Sequence, residues 1–425
     1  MSAGGAAFLG DARSRLLPAS VTLRFFASAA IFHLLAWLAL AVGAAQSLSF
    51  GGGLGWPLAA LHLFTLGVFG MTALGAGAQL LPVATRQPAP GQRLLVAIWW
   101  LYTPGVLVLA LGMGLARPHW LATGATAVVL ALAGWGVLMA RNLLGARGMP
   151  GIVAHGWTAL AALAIVLASA LSLAGTWLGL AVPDRMTALA LHLVFAPYGF
   201  MGALALGLSY ILVPMFALAD SPRERDQLAS CAFLVLALLL AGAAALGWAS
   251  EPLRVAALVC AAAGVGLHLR LMRNGLRSGL RRELGRSFLL VKIGWFGLAA
   301  SLALAVALVL EVPVPRLAGW FGLALIGVWL LSFVLGMLQR ILPFLAAMHA
   351  AGPGRRAPTP SSLTHERSLR VHVACHMAAL AGFALALAAD SALLATAAAL
   401  AGVAGAIAFG WFALVVLQRL AATRA

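Results

Sequence analysis

Between Phe25 and Leu417 the chain is a succession of apolar runs separated by short polar breaks. Twelve can be drawn, at roughly 25–45, 57–83, 94–115, 120–140, 152–180, 187–218, 228–249, 253–272, 287–310, 317–345, 371–388 and 391–418. A span of about 20 apolar residues crosses the hydrocarbon core of a bilayer. Backbone polar groups find no water there, so each span must satisfy its own as a helix. The composition agrees: 63% of residues are hydrophobic and 9% charged, where a soluble domain carries about 25% charged. The pattern predicts an all-α, polytopic integral membrane protein forming a single transmembrane domain over 1–425.

The net charge of +17 could suggest nucleic acid, but its distribution points elsewhere. With both termini inside, the outer segments hold only Arg117, Arg185, Arg254 and Arg316. Lys292 and Arg340 fall within or at the ends of spans, where their heads are expected to snorkel toward the inner face. Every other arginine lies on the inner side, which is the positive-inside bias. The expectation is a multi-pass protein of a bacterial-type inner membrane with both termini cytoplasmic and no nucleic-acid partner. The basic flank before the first span resembles a signal peptide, but the run is about 20 residues long and the second span follows closely, so it reads as a retained helix. Cys231, Cys260 and Cys375 lie far apart and imply neither a disulfide framework nor a cysteine metal site.

The second and sixth spans share a design. The stretch HLFTLGVFGMTALGAGAQLLP runs from His62 to Pro82, and HLVFAPYGFMGALALGLSYILVP from His192 to Pro214. Pro343 closes the tenth span in a similar way, and the three prolines stand about 130 residues apart. Seven residues before each is a glycine, Gly75, Gly207 and Gly336; twelve before stand Gly70 and Gly202, but Leu331 in the third copy. Glycines on one helix face let backbones approach. A proline at the inner end of a span costs little. Three four-helix repeats follow, at approximately 20–145, 146–275 and 276–425. Two inner connections stand out. Residues 270–286 read as a basic amphipathic surface segment, and residues 349–367 as a flexible Pro/Ser-rich loop holding His349 and His365.

Ionisable side chains inside a membrane mark function. The topology places His62 and His192 just inside the outer face and His119 at that interface. His33, His155 and His268 fall in the inner half, as do His372 and His376, whose i,i+4 spacing puts both rings on one helix face. Such a pair can chelate a transition metal; the alternative is an interfacial pair bonded to headgroups or backbone. His62 and His192 read either as buried functional groups or as packing histidines satisfied by a carbonyl. All ten acidic residues lie in connections or at helix ends, which weighs against a carboxylate-driven proton- or sodium-coupled transporter. Tyr198 and Tyr210 bring hydroxyls to the helix of His192.

Twelve helices in three units of four, with histidines opening the second and sixth, resemble subunit I of the heme-copper oxidases and the related NnrS-type membrane proteins. The resemblance covers the whole length as architecture; its motifs are local, HLFTLGVFGMTALG from His62 and LHLVFAPYGFMGALALG from Leu191. It implies a heme ligand at His62 and a copper ligand at His192. The oxidases also place two heme-ligating histidines in helix ten and a histidine pair in helix seven, whereas 317–343 and 230–247 here contain none. The resemblance therefore implies a non-oxidase relative that binds heme or copper through His62 and His192, serving redox chemistry, nitric-oxide response or respiratory-complex assembly. His372 and His376 form a separate expected metal pair. A cofactor-free permease, or a structural subunit meeting a membrane-protein partner or a second copy, is the rival reading.

Overall fold

The computed structural model describes residues 15–182, 184–281, 283–350 and 358–424. All regular structure among them is helical. Twelve helices are long and apolar enough to cross a membrane: α1 (Ala19–Val42), α2 (Trp56–Thr85), α3 (Gln92–Gly114), α4 (Pro118–Leu144), α5 (Pro150–Trp177), α6 (Arg185–Ala217), α7 (Glu224–Ala245), α8 (Ser250–Ser278), α9 (Gly285–Val309), α10 (Leu317–Ala350), α11 (Glu366–Ala389) and α12 (Ala392–Thr423). Each corresponds to one apolar run of the sequence. Leu- and Ala-rich segments satisfy their backbone locally, and their remaining apolar surface is left for lipid or for a neighbouring helix.

Packing follows one order through the chain. In each group of four the first helix lies on the second and the third on the fourth; α4 then meets α5, α8 meets α9, and α12 returns to α1. Three helices are far more enclosed than the rest. In their most apolar stretches α2, α6 and α10 are 72%, 89% and 67% buried, while no other helix exceeds 56%. They touch one another in the middle of the bundle, where the Trp329 ring of α10 comes up to Gly202 of α6. The spaced glycines lie at crossings: Gly75 against Phe25 and Phe26 of α1, Gly207 against His155 of α5, and Gly336 against Ser287, Leu290 and Val291 of α9.

The three central helices also share a local distortion. Leu63–Gly70, Phe195–Gly202 and Leu323–Leu331 are π-helical, each ending at the position twelve residues before the repeated proline. In α6 the widened turn contains Pro197, which lacks the N–H of a regular α-helical bond. Such insertions are rare and concentrate at functional sites.

The prolines do not all end their helices as the sequence suggested. Pro82 and Pro214 lie three residues before the end, and there the two terminations agree closely. Gln87 N–H reaches Pro82 O and Ala219 N–H reaches Pro214 O, both at 2.9 Å. Arg86 and Leu218 adopt left-handed φ of 56° and 53°, as in a Schellman end. The chain returning from α4 caps α2 (Arg147 N–H to Thr85 O, 2.9 Å), and the chain returning from α8 caps α6 (Arg281 N–H to Ala217 O, 3.1 Å). Pro343 differs: α10 continues seven residues further, to Ala350.

Several expectations for the inner connections change accordingly. Residues 270–278 are a continuation of α8, because nothing before Gly279 breaks the helix. His349 belongs to α10, so that helix does hold a histidine, at its last turn. His365 caps α11, its Nδ1 accepting from Ser368 N–H at 3.4 Å. Residues 351–357 of the expected loop lie outside the described residues. Lys292 is exposed and Arg340 half-buried; the Arg340 head reaches the end of the bundle toward which snorkelling was expected to take it. Its Nε donates to Ser287 Oγ at 2.7 Å and its Nη2 to Leu284 O, tying α10 to the start of α9.

Candidate functional site

Seven of the histidines sort into three groups, each joining residues far apart in sequence. The first is the pair the repeated motif singled out. His62 stands one residue before the π segment of α2, and His192 three residues before that of α6. Both are half-buried. Their ring centroids lie 6.4 Å apart with planes 24° from parallel.

Hydrogen bonds set their tautomers. His62 Nδ1 lies 3.0 Å from Leu58 O, an acceptor only, so Nδ1 carries the proton and Nε2 the lone pair. Ser169 Oγ donates to Val166 O at 3.0 Å and thus accepts from His192 Nδ1–H at 3.4 Å. Both rings keep Nε2 as a free lone pair while Nδ1 is held by a neighbour, the arrangement typical of ligating imidazoles. Two imidazoles on opposite sides of one ion, each about 2.0 Å away, place their centroids about 6 Å apart. Two imidazole nitrogens are a donor set of the kind that transition metals and heme iron take.

The second group centres on His372 and His376 of α11, which are 0% and 2% exposed. An interfacial role is therefore overturned: the rings face α10, α12 and α1 rather than headgroups. His33 of α1, 1% exposed, joins them, with its ring centroid 6.0 Å from His372, which lies 5.9 Å from His376. Trp37 Nε1–H donates to His33 Nε2 at 3.0 Å. Gln339 Nε2 lies 3.0 Å from His372 Nδ1, and Ser332 Oγ 2.8 Å from His376 Nε2. The other nitrogens, His33 Nδ1, His372 Nε2 and His376 Nδ1, are buried without a partner, as is Gln339 Oε1. Among the described residues no three metal-ligating side chains are arranged to hold an ion. The spacing of His372 and His376 flagged this place; His33, Gln339, Ser332 and Trp37 were not foreseen as its members.

The third group is His155 of α5, Tyr210 of α6 and His268 of α8, all fully buried. Tyr210 Oη is 3.1 Å from His268 Nδ1, and His155 Nδ1 donates to Gly151 O at 2.7 Å. Tyr198, the other tyrosine of α6, donates to Ser301 Oγ of α9 at 3.0 Å. His119 is exposed at the start of α4, as expected.

Searches of the chain against protein-family models and against curated proteins give no match. Fold and sequence together define a multi-pass membrane protein of twelve helices.

Proposed function

We propose that this is a non-oxidase membrane protein of the oxidase-subunit-I type that holds a heme or a copper ion between His62 and His192. One observation carries the reading. Two residues about 130 positions apart, each opening a copy of the glycine-rich helix, bring their rings to 6.4 Å with both Nε2 lone pairs free. A packing histidine needs one satisfied ring and no counterpart. The three-unit arrangement around α2, α6 and α10 belongs to the same proposal, and the cytoplasmic orientation of both termini rests on the arginine distribution. A bound heme or copper ion would supply redox chemistry at the outer end of the bundle. What the chain itself contributes is fixed ring orientation, through Leu58 and Ser169, and an apolar surround.

The test is a visible spectrum and elemental analysis of protein purified after growth with ample heme and copper. Iron with a Soret band, or copper without one, is expected in the wild type. His62→Ala and His192→Ala should each lower retention on the order of tenfold or more. Neither metal in the wild type would leave the pair as packing residues, and the permease or structural-subunit reading would take over.

A further inference from the structure

The cluster of His33, His372 and His376 is a second polar site, independent of the pair at the outer end of the bundle. Its protonation pattern follows from its neighbours. Trp37 Nε1–H can only donate, so His33 Nε2 must accept and His33 Nδ1 carries the proton. That nitrogen is a fixed donor with no acceptor. A metal at His33 Nδ1 would have to expel this proton and leave an imidazolate.

The far end has the opposite character. Ser332 Oγ donates to Gly327 O at 3.2 Å, so it accepts from His376 Nε2–H. His376 Nδ1 is then a lone pair with no donor. His372 lies between the two rings and is adaptable. With Gln339 Nε2 donating to it, His372 Nε2 bears a proton; with the amide turned over, His372 Nδ1–H donates to Gln339 Oε1 and Nε2 becomes a lone pair. The site offers a donor at one side, an acceptor at the other, and a centre that can serve as either.

We propose that His33, His372 and His376 enclose ordered water within the bilayer, as a site for a neutral hydrogen-bonding guest and not for a metal ion. Water is the smallest molecule that both accepts from His33 and donates to His376. Buried polar groups left without protein partners commonly hold water in this way. The four elements around the site, α1, α10, α11 and α12, bring no carboxylate or ammonium to it. The guanidinium of Arg340, beside Gln339, is engaged with Ser287 and Leu284 of α9, so the guest carries no charge. The i,i+4 pair that spacing marks for metal chelation has here a different occupant.

Hydroxyl-radical footprinting by brief synchrotron exposure tests this, because radicals form from bound water and oxidise what lies beside it. Trp37 is 3% exposed, and Trp135 and Trp329, at 1% and 2%, are internal controls whose ring contacts are with Phe200 and Tyr198 and not with the three histidines. Trp37 should be oxidised on the order of fivefold faster than either control. In His376→Leu, which removes the acceptor, Trp37 oxidation should fall to the level of the controls. Should that variant fail to fold, the wild-type comparison among the three tryptophans decides alone. Equal rates at Trp37, Trp135 and Trp329 would overturn the proposal. So would copper or zinc that is retained in His62→Ala and lost in His372→Ala, which assigns the metal to this cluster.

Discussion

Gly336 lies where α10 crosses α9, and its replacement by alanine isolates the energetic role of the repeated glycine. A Cβ there would sit 2.7 Å from Ser287 O, 3.0 Å from Val291 Cγ2 and 3.1 Å from Leu290 Cβ. Carbon–oxygen contacts settle at about 3.3–3.6 Å, so the helices must part by roughly 0.7 Å. The nearest atom is backbone and cannot swing aside. Alanine also gains about 1 kcal/mol of helix propensity over glycine, which would obscure the cost in one variant measured alone. Gly266 of α8 provides the reference, since nothing lies within 4 Å of its added Cβ. Propensity largely cancels between Gly336→Ala and Gly266→Ala, leaving the overpacking cost of about 1–3 kcal/mol. Reversible unfolding in mixed micelles should show Gly336→Ala less stable than Gly266→Ala by that amount. Gly207→Ala, which would meet His155 Cβ at 2.7 Å, should fall on the same side. Equal stability of Gly336→Ala and Gly266→Ala would refute the reading of these glycines as points of forced helix approach.

Two further outcomes follow from single contacts. Tyr102, fully buried in α3, donates from Oη to Leu66 O in the π segment of α2 at 3.0 Å; Tyr102→Phe should cost about 1 kcal/mol in the same unfolding assay, and an unchanged stability would remove this bond from the account of the distortion. Asp184, exposed at the start of α6, is held below its ordinary value of 3.8 by the backbone N–H of Thr187 and then by its hydroxyl. A lowered folded value means the cap is fully present above the ordinary value and is lost as pH falls through the folded one. Amide exchange at the first turn of α6 should therefore quicken in acid relative to neutral pH, after correction for intrinsic rates; the same pH response in Asp184→Asn would assign the effect to another group.

Much of the fold was legible because lipid imposes a simple rule. A run long enough and apolar enough has one way to satisfy its backbone, and all twelve runs became helices. The ends were less legible because charge is a poor stop signal at a membrane surface. Arg270, Arg273 and Arg277 read as a separate segment, yet arginine favours helix and α8 runs through them to Gly279. Pro343 misled for a related reason. Proline removes one N–H but does not forbid further turns when neighbouring helices support them, so α10 passes it and carries His349 inside the helix. The π segments had no clear signature, since glycine and leucine suit α and π turns alike. Pro197 was the one local hint.

Depth along a helix was readable from sequence; direction around it was not, and the sites depend on direction. His62 and His192 could be paired because each opens one of two similar glycine-rich helices, although His192 stands two residues further from its proline than His62 does. His33 has no such counterpart. It lies near the middle of α1, on the face that meets α11 and α12, and the closure of α12 onto α1 brings it to His372 across nearly the full length of the chain. A contact of that kind requires knowing that the last helix returns to the first. The polar partners were hidden for the same reason: Gln339 and Ser332 sit on α10 among residues whose types also suit packing. Ser332 bonds Gly327 O, the carbonyl five residues earlier, a reach that belongs to the π register of Leu323–Leu331. In a regular helix a serine most often bonds the carbonyl three or four residues back. The same distortion therefore helps commit the serine proton and, through it, the tautomer of His376.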